Sequence, residues 1–416
     1  MRSTSAALRP PHEKCEASQP TPLDRLRAAY AQCTYEIVTT HGAFDALRNE
    51  WDALFERAGN GTQLFQTFGW LWHWCNNYLP QDGGSGGPNL AILVGRREGK
   101  LVTVWPTVIE RHGGLNQLTW MGAPVSQYGD ILIDEVPDAD TILREGWKHL
   151  IETLRPDVVW LTRVRADAAV APLLADIGAR ATQRLAAPYL DLTSAPDFDS
   201  YMLRHSNRAR KKHRAAARKL ATHGEVEFIC EAQTQRAQDF AGAAVERKNG
   251  QLLEKGIVSP ALADPRTQRF FASAAGPSAC PSGVVVYALE VNGERAAIDV
   301  LVRAKQHIAT HVFAYDPKYA KDRVGAHLLE LTIERTFEEG YTTLDMLAPA
   351  DDYKLRWADG VVEVVDWAVP ISRLGSAYTR GYLETLRPML KTVRDWIPPA
   401  MAKALATAYG RLRALS

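Results

Sequence analysis

No window of the chain approaches the roughly 20 consecutive apolar residues that a membrane-spanning helix needs, which excludes a helical membrane bundle. Cysteine is sparse and dispersed: Cys15, Cys33, Cys75, Cys230 and Cys280 form no C-x-x-C and stand near no histidine pair at metal-ligand spacing. An odd, scattered set argues against a disulfide framework and a structural metal, and fits reduced thiols in a cytoplasm. The first residues lack an apolar core, since Arg2, Arg9, His12, Glu13 and Lys14 are followed by Pro20, Pro22, Asp24 and Arg25. A standard secretion signal is therefore not expected. Charge of one sign is not in excess either, with a net +1 over 416 residues. With 46% hydrophobic and 23% charged residues the composition is that of an ordinary globular chain, which excludes wholesale disorder. At about 150 residues per domain it has length for two or three units.

What is present is concentrated between Ala309 and Leu347. An alternating apolar segment, ATHVFAYDP, gives way to the basic loop Lys321-Asp322-Arg323-Val324-Gly325-Ala326, then a helical pattern, then a strand. Strand, glycine-bearing loop and helix in that order aim backbone N–H groups at a phosphate. Leu328, Leu329, Thr332, Ile333, Thr336 and Phe337 make one apolar helix face that stops at Gly340, and Glu330, Glu334 and Glu338 lie opposite. Gly325 is placed where a side chain would block a ligand from the first helical turn, and Lys321 and Arg323 add positive charge there. A single glycine is a weaker signal than G-x-G-x-x-G.

Two α/β runs flank a second feature. Residues 1–33 read as a flexible leader, 34–195 as a first unit, 196–372 as a second, and 373–416 as an amphipathic helical tail. In the first unit, strands are expected at Tyr35–Thr39, Leu90–Val94, Leu101–Ile109, Leu115–Met121, Asp130–Ile133 and Val158–Val164. Helices are expected at Ala43–Arg57, Gln66–Tyr78 and Ala139–Leu154, with 168–178 also helical and Pro188–Leu192 extended. Gly83–Pro88 is a loop. The second unit opens with Leu203–His223, which holds eight Lys or Arg, no acid and no aromatic residue. Such a run is either a solvated helix face or a grip on an anionic partner, and without aromatics it argues against single-stranded RNA. Strands at Val226–Cys230, Val284–Val291, Arg295–Val302 and His307–Tyr315 follow, with helices at Arg236–Asn249 and Pro265–Ala275 and a hairpin signal at Asn292-Gly293. In the tail, Tyr378, Tyr382, Leu386, Met389, Leu390, Val393 and Ile397 recur at helical spacing between basic residues, and Pro398-Pro399 precedes a short basic helix, Met401–Leu415. That surface either packs back on the body or touches membrane or a partner.

After the strand Thr342–Met346 come Asp352-Tyr353-Lys354 and the apolar run Val361–Val369. This C-terminal segment resembles the GNAT acyltransferase fold, and more closely its CelD-like branch, related to the FemABX peptidyltransferases. Phe65–Trp72 is similar to that family's early aromatic helix, Leu118–Asp134 to its paired strands and Tyr-Gly-Asp turn, and Ser206–Gly224 to its basic linker helix. The usual phosphate loop is reduced here to Arg323-Val324-Gly325-Ala326. The resemblance implies an α/β fold of two tandem GNAT-like domains, with mixed, mostly antiparallel sheets flanked by helices and a C-terminal helical tail. It also implies acyl-coenzyme A as co-substrate, contacted by Phe313, Lys321, Arg323, Val324, Gly325 and Ala326, with no metal.

Acyl transfer to an amine needs a deprotonated amine, donors for the oxyanion and a returned proton. Asp299, an acid in the apolar strand Ala296–Leu301, is a candidate base because burial raises a carboxyl pKa. Tyr315 lies at the end of the strand before the loop. Tyr353 and Lys354 resemble the family's Tyr-Lys pair, the tyrosine as acid and the lysine orienting a carbonyl. The expected reaction is N-acyl transfer from acyl-coenzyme A to a small-molecule amine or glycan precursor, in polysaccharide or envelope biosynthesis. The expected location is the cytoplasm, with peripheral contact to the inner face of the membrane or to an envelope assembly. The alternatives are a FemABX-like transferase using charged tRNA and a non-catalytic accessory protein of polysaccharide assembly.

Overall fold

The computed structural model describes residues 32–79 and 87–396. Most of the leader, most of the glycine-rich loop and the helix expected at Met401–Leu415 lie outside the described residues.

The first half runs β1 (Thr34–Val38), α1 (His41–Ala46), α2 (Arg48–Ala58), α3 (Phe68–Tyr78), β2 (Asn89–Leu90), β3 (Ile92–Arg97), β4 (Lys100–Trp105), β5 (Thr107–His112), β6 (Leu115–Trp120), β7 (Leu132–Ile133), α4 (Ala139–Leu154), β8 (Val158–Arg165), α5 (Ala171–Asp176) and β9 (Arg180–Asp191). After α6 (Phe198–Met202) and the basic α7 (Asn207–Ala221), the order repeats. It runs β10 (Val226–Glu231), α8 (Gln235–Glu254), α9 (Pro260–Ala263), α10 (Pro265–Ala275), β11 (Val284–Val291), β12 (Glu294–Ala304), β13 (His307–Tyr315), α11 (Val324–Glu338), β14 (Thr343–Asp345), α12 (Asp352–Leu355) and β15 (Gly360–Pro370). Each half holds a parallel strand pair joined by one helix, β6–α4–β8 and β13–α11–β14. The other strand pairs are antiparallel.

The expected strand Leu101–Ile109 is two strands in different sheets. Pro106, which has no N–H to give a ladder, separates β4, in a four-stranded sheet, from β5, in an eleven-stranded one. The expected helix Ala43–Arg57 breaks at Leu47 into α1 and α2, yet Phe44, Leu47, Trp51, Leu54 and Phe55 are all buried as its periodicity requires. The aromatic helix starts as a 3-10 turn at Gly61–Gln66, and Thr67 caps α3 by accepting from the Trp70 N–H. The extended stretch expected at Pro188–Leu192 is the end of the twelve-residue β9.

The eleven-stranded sheet has the order β10-β11-β12-β13-β14-β9-β15-β8-β6-β5-β2. The last strand of each half is therefore exchanged: β9 lies between β14 and β15, and β15 between β9 and β8. Neither half completes its own sheet. One apolar core spans both halves, with the Trp70 and Phe270 rings 4.8 Å apart. A second core lies beneath α11, around Tyr201, Tyr319, Leu328 and Ile333.

Candidate active site

β13 and β14 pair only at His307–Ala309 with Thr343–Asp345. Past Ala309, β13 continues to Tyr315 on the arm of β12, pairing as far as Ala297. On the other side the chain leaves β14 through Met346–Pro349, with Leu347 at φ +58°. The two strands separate into a slot, and an extended ligand can bond the free backbone edge of β13 there. The side chain of Gln251 already does so, its Nε2 donating to Tyr315 O at 2.7 Å. A β-bulge sits at the start of the split: Val300 pairs with Val312 and Leu301 with Thr310, leaving His311 as the extra residue.

At the end of β13, Pro317–Asp322 form a 3-10 turn, Arg323 adopts φ +60°, and α11 starts at Val324. The expected basic loop is thus mostly helical, with Arg323 as its hinge. No side chain caps α11 and no acid occupies its first turn, so its leading N–H groups and positive dipole end stay open to an anion. The matching helix of the first half, α4, has Asp138 at its N-cap and Asp140 in its first turn, which repels a phosphate. Gly325 lies inside the first turn of α11. A Cβ there would stand 3.2 Å from both Phe313 and Tyr315 ring carbons, so the missing side chain lets the helix close on these two rings. Phe313, Tyr315, Val324, Gly325 and Ala326 are brought together, with Lys321 and Arg323 exposed beside them.

The basic helix α7 ends at this place. His223, just beyond it, bonds Asp322 at 2.9 Å and meets the Tyr319 ring edge-on at 5.4 Å. Its cations Arg208, Lys211, Lys212, Arg214, Arg218 and Lys219 are exposed.

Asp299 is closed off from solvent. Along β12, Ile298, Val300 and Val302 belong to the core that includes α8, while Ala297 and Leu301 belong to the core under α11. Alternation puts Asp299 on the α11 side, opposite Tyr287 and Phe313. It is 0% exposed and neither carboxylate oxygen has a partner. Burial pushes its pKa well above the carboxylate range, and Lys248 opposes this only in part.

Tyr353 and Lys354 lie in the short helix α12 rather than a loop. Tyr353 is 45% exposed; burial of its hydroxyl, then the charges of Asp351 and Asp299, push its pKa up to about 12. Lys354 is buried, and its Nζ donates to Leu347 O at 2.9 Å and Pro349 O at 3.1 Å. The carbonyls it meets are those of the slot's own wall. Burial lowers the pKa of Lys354, and burial followed by the charge of Lys255 lowers that of Lys248 on α8.

Three groups escaped sequence reasoning. His311 has Nε2 against Val125 O at 2.6 Å, so Nε2 carries the proton and the buried Nδ1 keeps an unpartnered lone pair. Burial pushes its pKa down to about 4. Arg163 has a buried Nη1 without a partner. Asp345 accepts from the Tyr128 hydroxyl at 2.9 Å, Arg165 Nη1 at 2.8 Å and the Leu347 N–H at 2.7 Å, fastening the slot wall to the first half. A histidine in the apolar run Ala309–Val312 was the one visible signal. Tyr128 and Arg165, which hold Asp345, come from a remote part of the chain.

Residues 207–355 match the family described as acetyltransferase (GNAT) domain. No curated protein matches the chain. Among solved structures it is similar to FemX, at 10% identity over 84% of this chain and 100% of that one, with a TM-score of 0.56. It is also similar to a tandem GNAT protein from the clavulanic acid biosynthesis pathway (13% identity, 82% and 99% covered, TM-score 0.45) and to L-PGS from Bacillus licheniformis (13%, 81% and 95%, 0.47). Residues 207–355 are a GNAT domain. Over the whole chain the likeness to FemX is one of fold, and the slot described above lies in the span that the family model covers.

Proposed function

We propose that the chain transfers an acyl group from an acyl-coenzyme A thioester to an amino group held at the slot between β13 and β14. The observation that carries this reading is the split itself, which opens beside an uncapped helix N-terminus. A pantetheine arm is an extended chain with amide groups, suited to an unpaired strand edge, and its phosphates suit the leading N–H groups of α11 with Lys321 and Arg323. When bound, the thioester supplies the activated acyl group. Val324, Gly325 and Ala326 would hold the phosphates through their backbone, with Phe313 and Tyr315 against the arm. Lys248 on α8, whose pKa burial lowers, is our candidate to take a proton from the acceptor amine. Tyr353, protonated at neutral pH, is suited to give one to the departing sulfur. Lys354 positions the wall. A small-molecule amine or glycan precursor of polysaccharide or envelope biosynthesis as acceptor rests on the CelD-like resemblance, and a cytoplasmic setting on the dispersed cysteines.

One observation favours a second reading, a charged-tRNA donor: the acid-free basic helix α7 ends at the head of the slot. A thermal-shift series separates the two. A ligand at 100 times its Kd adds about 2.7 kcal/mol, so acyl-coenzyme A should raise the melting temperature at physiological salt. RNA binding should be weak, with a salt slope of about −0.7 to −0.9 per phosphate contact. Tight binding of charged tRNA with no response to coenzyme A would replace the first reading with the second. A response to neither would leave an accessory protein.

A further inference from the structure

Of the large apolar side chains exposed at the surface, six crowd onto one stretch: Ile371, Leu374, Tyr382, Leu386, Met389 and Leu390. From Arg373 to Trp396 this stretch is a continuous helix, whose middle, Thr379–Leu386, is wound as a π-helix. Its buried side repeats at every fourth residue. Gly375 presses on the residue that precedes β8, where a Cβ would fall 1.8 Å from Asp157 O; Thr379 and Leu383 are buried; Arg387 lies 4.9 Å over the Trp160 ring. The apolar outer side also repeats at every fourth residue, through Leu374, Tyr378, Tyr382, Leu386 and Leu390.

A four-residue step overshoots an α-turn of 3.6 residues but falls short of a turn closed by i→i+5 bonds. The α and π segments therefore cancel each other's drift. One face stays on the protein along the whole helix, and the neighbouring apolar stripe stays straight and outside it. Residues 373–416 also carry eight Lys or Arg against two acids, Glu384 and Asp395, a surplus of six in a chain whose total is +1. Glu384 is itself bonded to Arg180 at 2.7 Å.

We propose that this stripe seats on the surface of an anionic lipid bilayer, its apolar side chains in the headgroup–acyl boundary and its basic groups at the lipid phosphates. An exposed apolar stripe flanked by basic residues is the pattern of interfacial helices, and each Lys or Arg near an anionic surface adds attraction. Charge complementarity decides between this occupant and a second copy. Within the helix Arg373–Trp396 alone the surplus is three, five Lys or Arg against two acids, so a two-fold contact through the stripe would set like charges against each other, whereas a bilayer offers the opposite sign. No helix among the described residues is long and apolar enough to cross a membrane, so the contact is peripheral. It does not depend on the proposed reaction.

The test is co-sedimentation of the full chain with phosphatidylcholine vesicles, with and without about 30% phosphatidylglycerol. Wild type should partition at least about tenfold more strongly onto the anionic vesicles, and less as salt rises. Leu386 and Leu390 are 47% and 55% exposed, so Leu386→Glu with Leu390→Glu should keep the melting temperature and lose at least about tenfold in partition. Should that double variant unfold, Arg380→Glu, an exposed change on the same helix, should weaken anionic but not neutral binding. Sedimentation with neither vesicle type, or undiminished binding by both variants, overturns the proposal. So does a wild-type dimer in ultracentrifugation that the double variant dissolves while vesicles bind nothing.

Discussion

Replacing Lys354 with methionine tests whether this lysine serves chemistry or architecture. The methionine keeps the apolar stem and removes the ammonium that donates to Leu347 O and Pro349 O. Hydrogen bonds from a charged donor contribute about 1.5–3 kcal/mol each, and a buried carbonyl left unmade costs about 1–3 kcal/mol. Against this stands the desolvation of the ammonium, visible in its lowered pKa, which the substitution relieves. The net expected loss is about 2–4 kcal/mol, enough to move a urea midpoint down by about 1 M. Leu347 is adjacent to Met346 and bonded to Asp345, so the slot wall should loosen and the Michaelis constant rise more than the turnover number falls. Urea unfolding followed by tryptophan fluorescence measures the first effect, and steady-state kinetics with the best thioester the second. Wild-type stability together with a turnover loss of about 10² would refute the architectural role and return Lys354 to the chemistry.

Asp299→Val should stabilise the protein by about 1–3 kcal/mol at neutral pH, because it replaces a buried, unpaired carboxyl with an apolar group of similar size. The sign with pH follows from the raised pKa: the folded state keeps this proton above about pH 4 while the unfolded chain releases it, so wild-type stability falls as pH rises through that window. The advantage of the variant should widen as pH rises above about 4; a constant difference in urea titrations would contradict the assignment. Gly325→Ala should stay within about 1 kcal/mol of wild type, helix propensity offsetting contact with two rings, whereas Gly325→Glu should abolish the thermal shift caused by coenzyme A. A folded Gly325→Glu protein that still responds would retire the phosphate reading of α11. Tyr353→Phe should lower turnover by about 10² or more with little change in thioester affinity, and equal turnover would remove Tyr353 as the proton donor.

Element identity was legible in the chain because it depends on local periodicity. The pattern Leu328 to Thr336 buries one face of α11 and Gly340, at φ +74°, ends the helix as its position indicates. Ala139–Leu154, Pro265–Ala275, Val284–Val291 and His307–Tyr315 match their elements end to end. The tail's amphipathic spacing could likewise be read directly from residue spacing, whereas the tandem arrangement was an expectation from the family resemblance. The candidate phosphate end of the slot was readable too, since β13, the turn and α11 are contiguous in sequence.

Everything that depends on which strand lies beside which was decided by the tertiary structure. The exchange of β9 and β15 leaves no local trace, because a strand's pattern reports that a face is buried and not which strand lies beside it. Asp299 could be placed as buried from its neighbours Ala297 and Leu301, but the helix covering that face is set by packing. Lys354 looked like a group for a substrate until the fold turned two wall carbonyls toward it. The slot exists because β13 and β14, parallel strands joined by a whole helix, part after three residue pairs. Its second wall is fastened by Tyr128 and Arg165 from the other half. Side-chain chemistry and helix or strand period are properties of the sequence. Partners more than 100 residues apart are fixed only when the two halves bury one core and share one sheet.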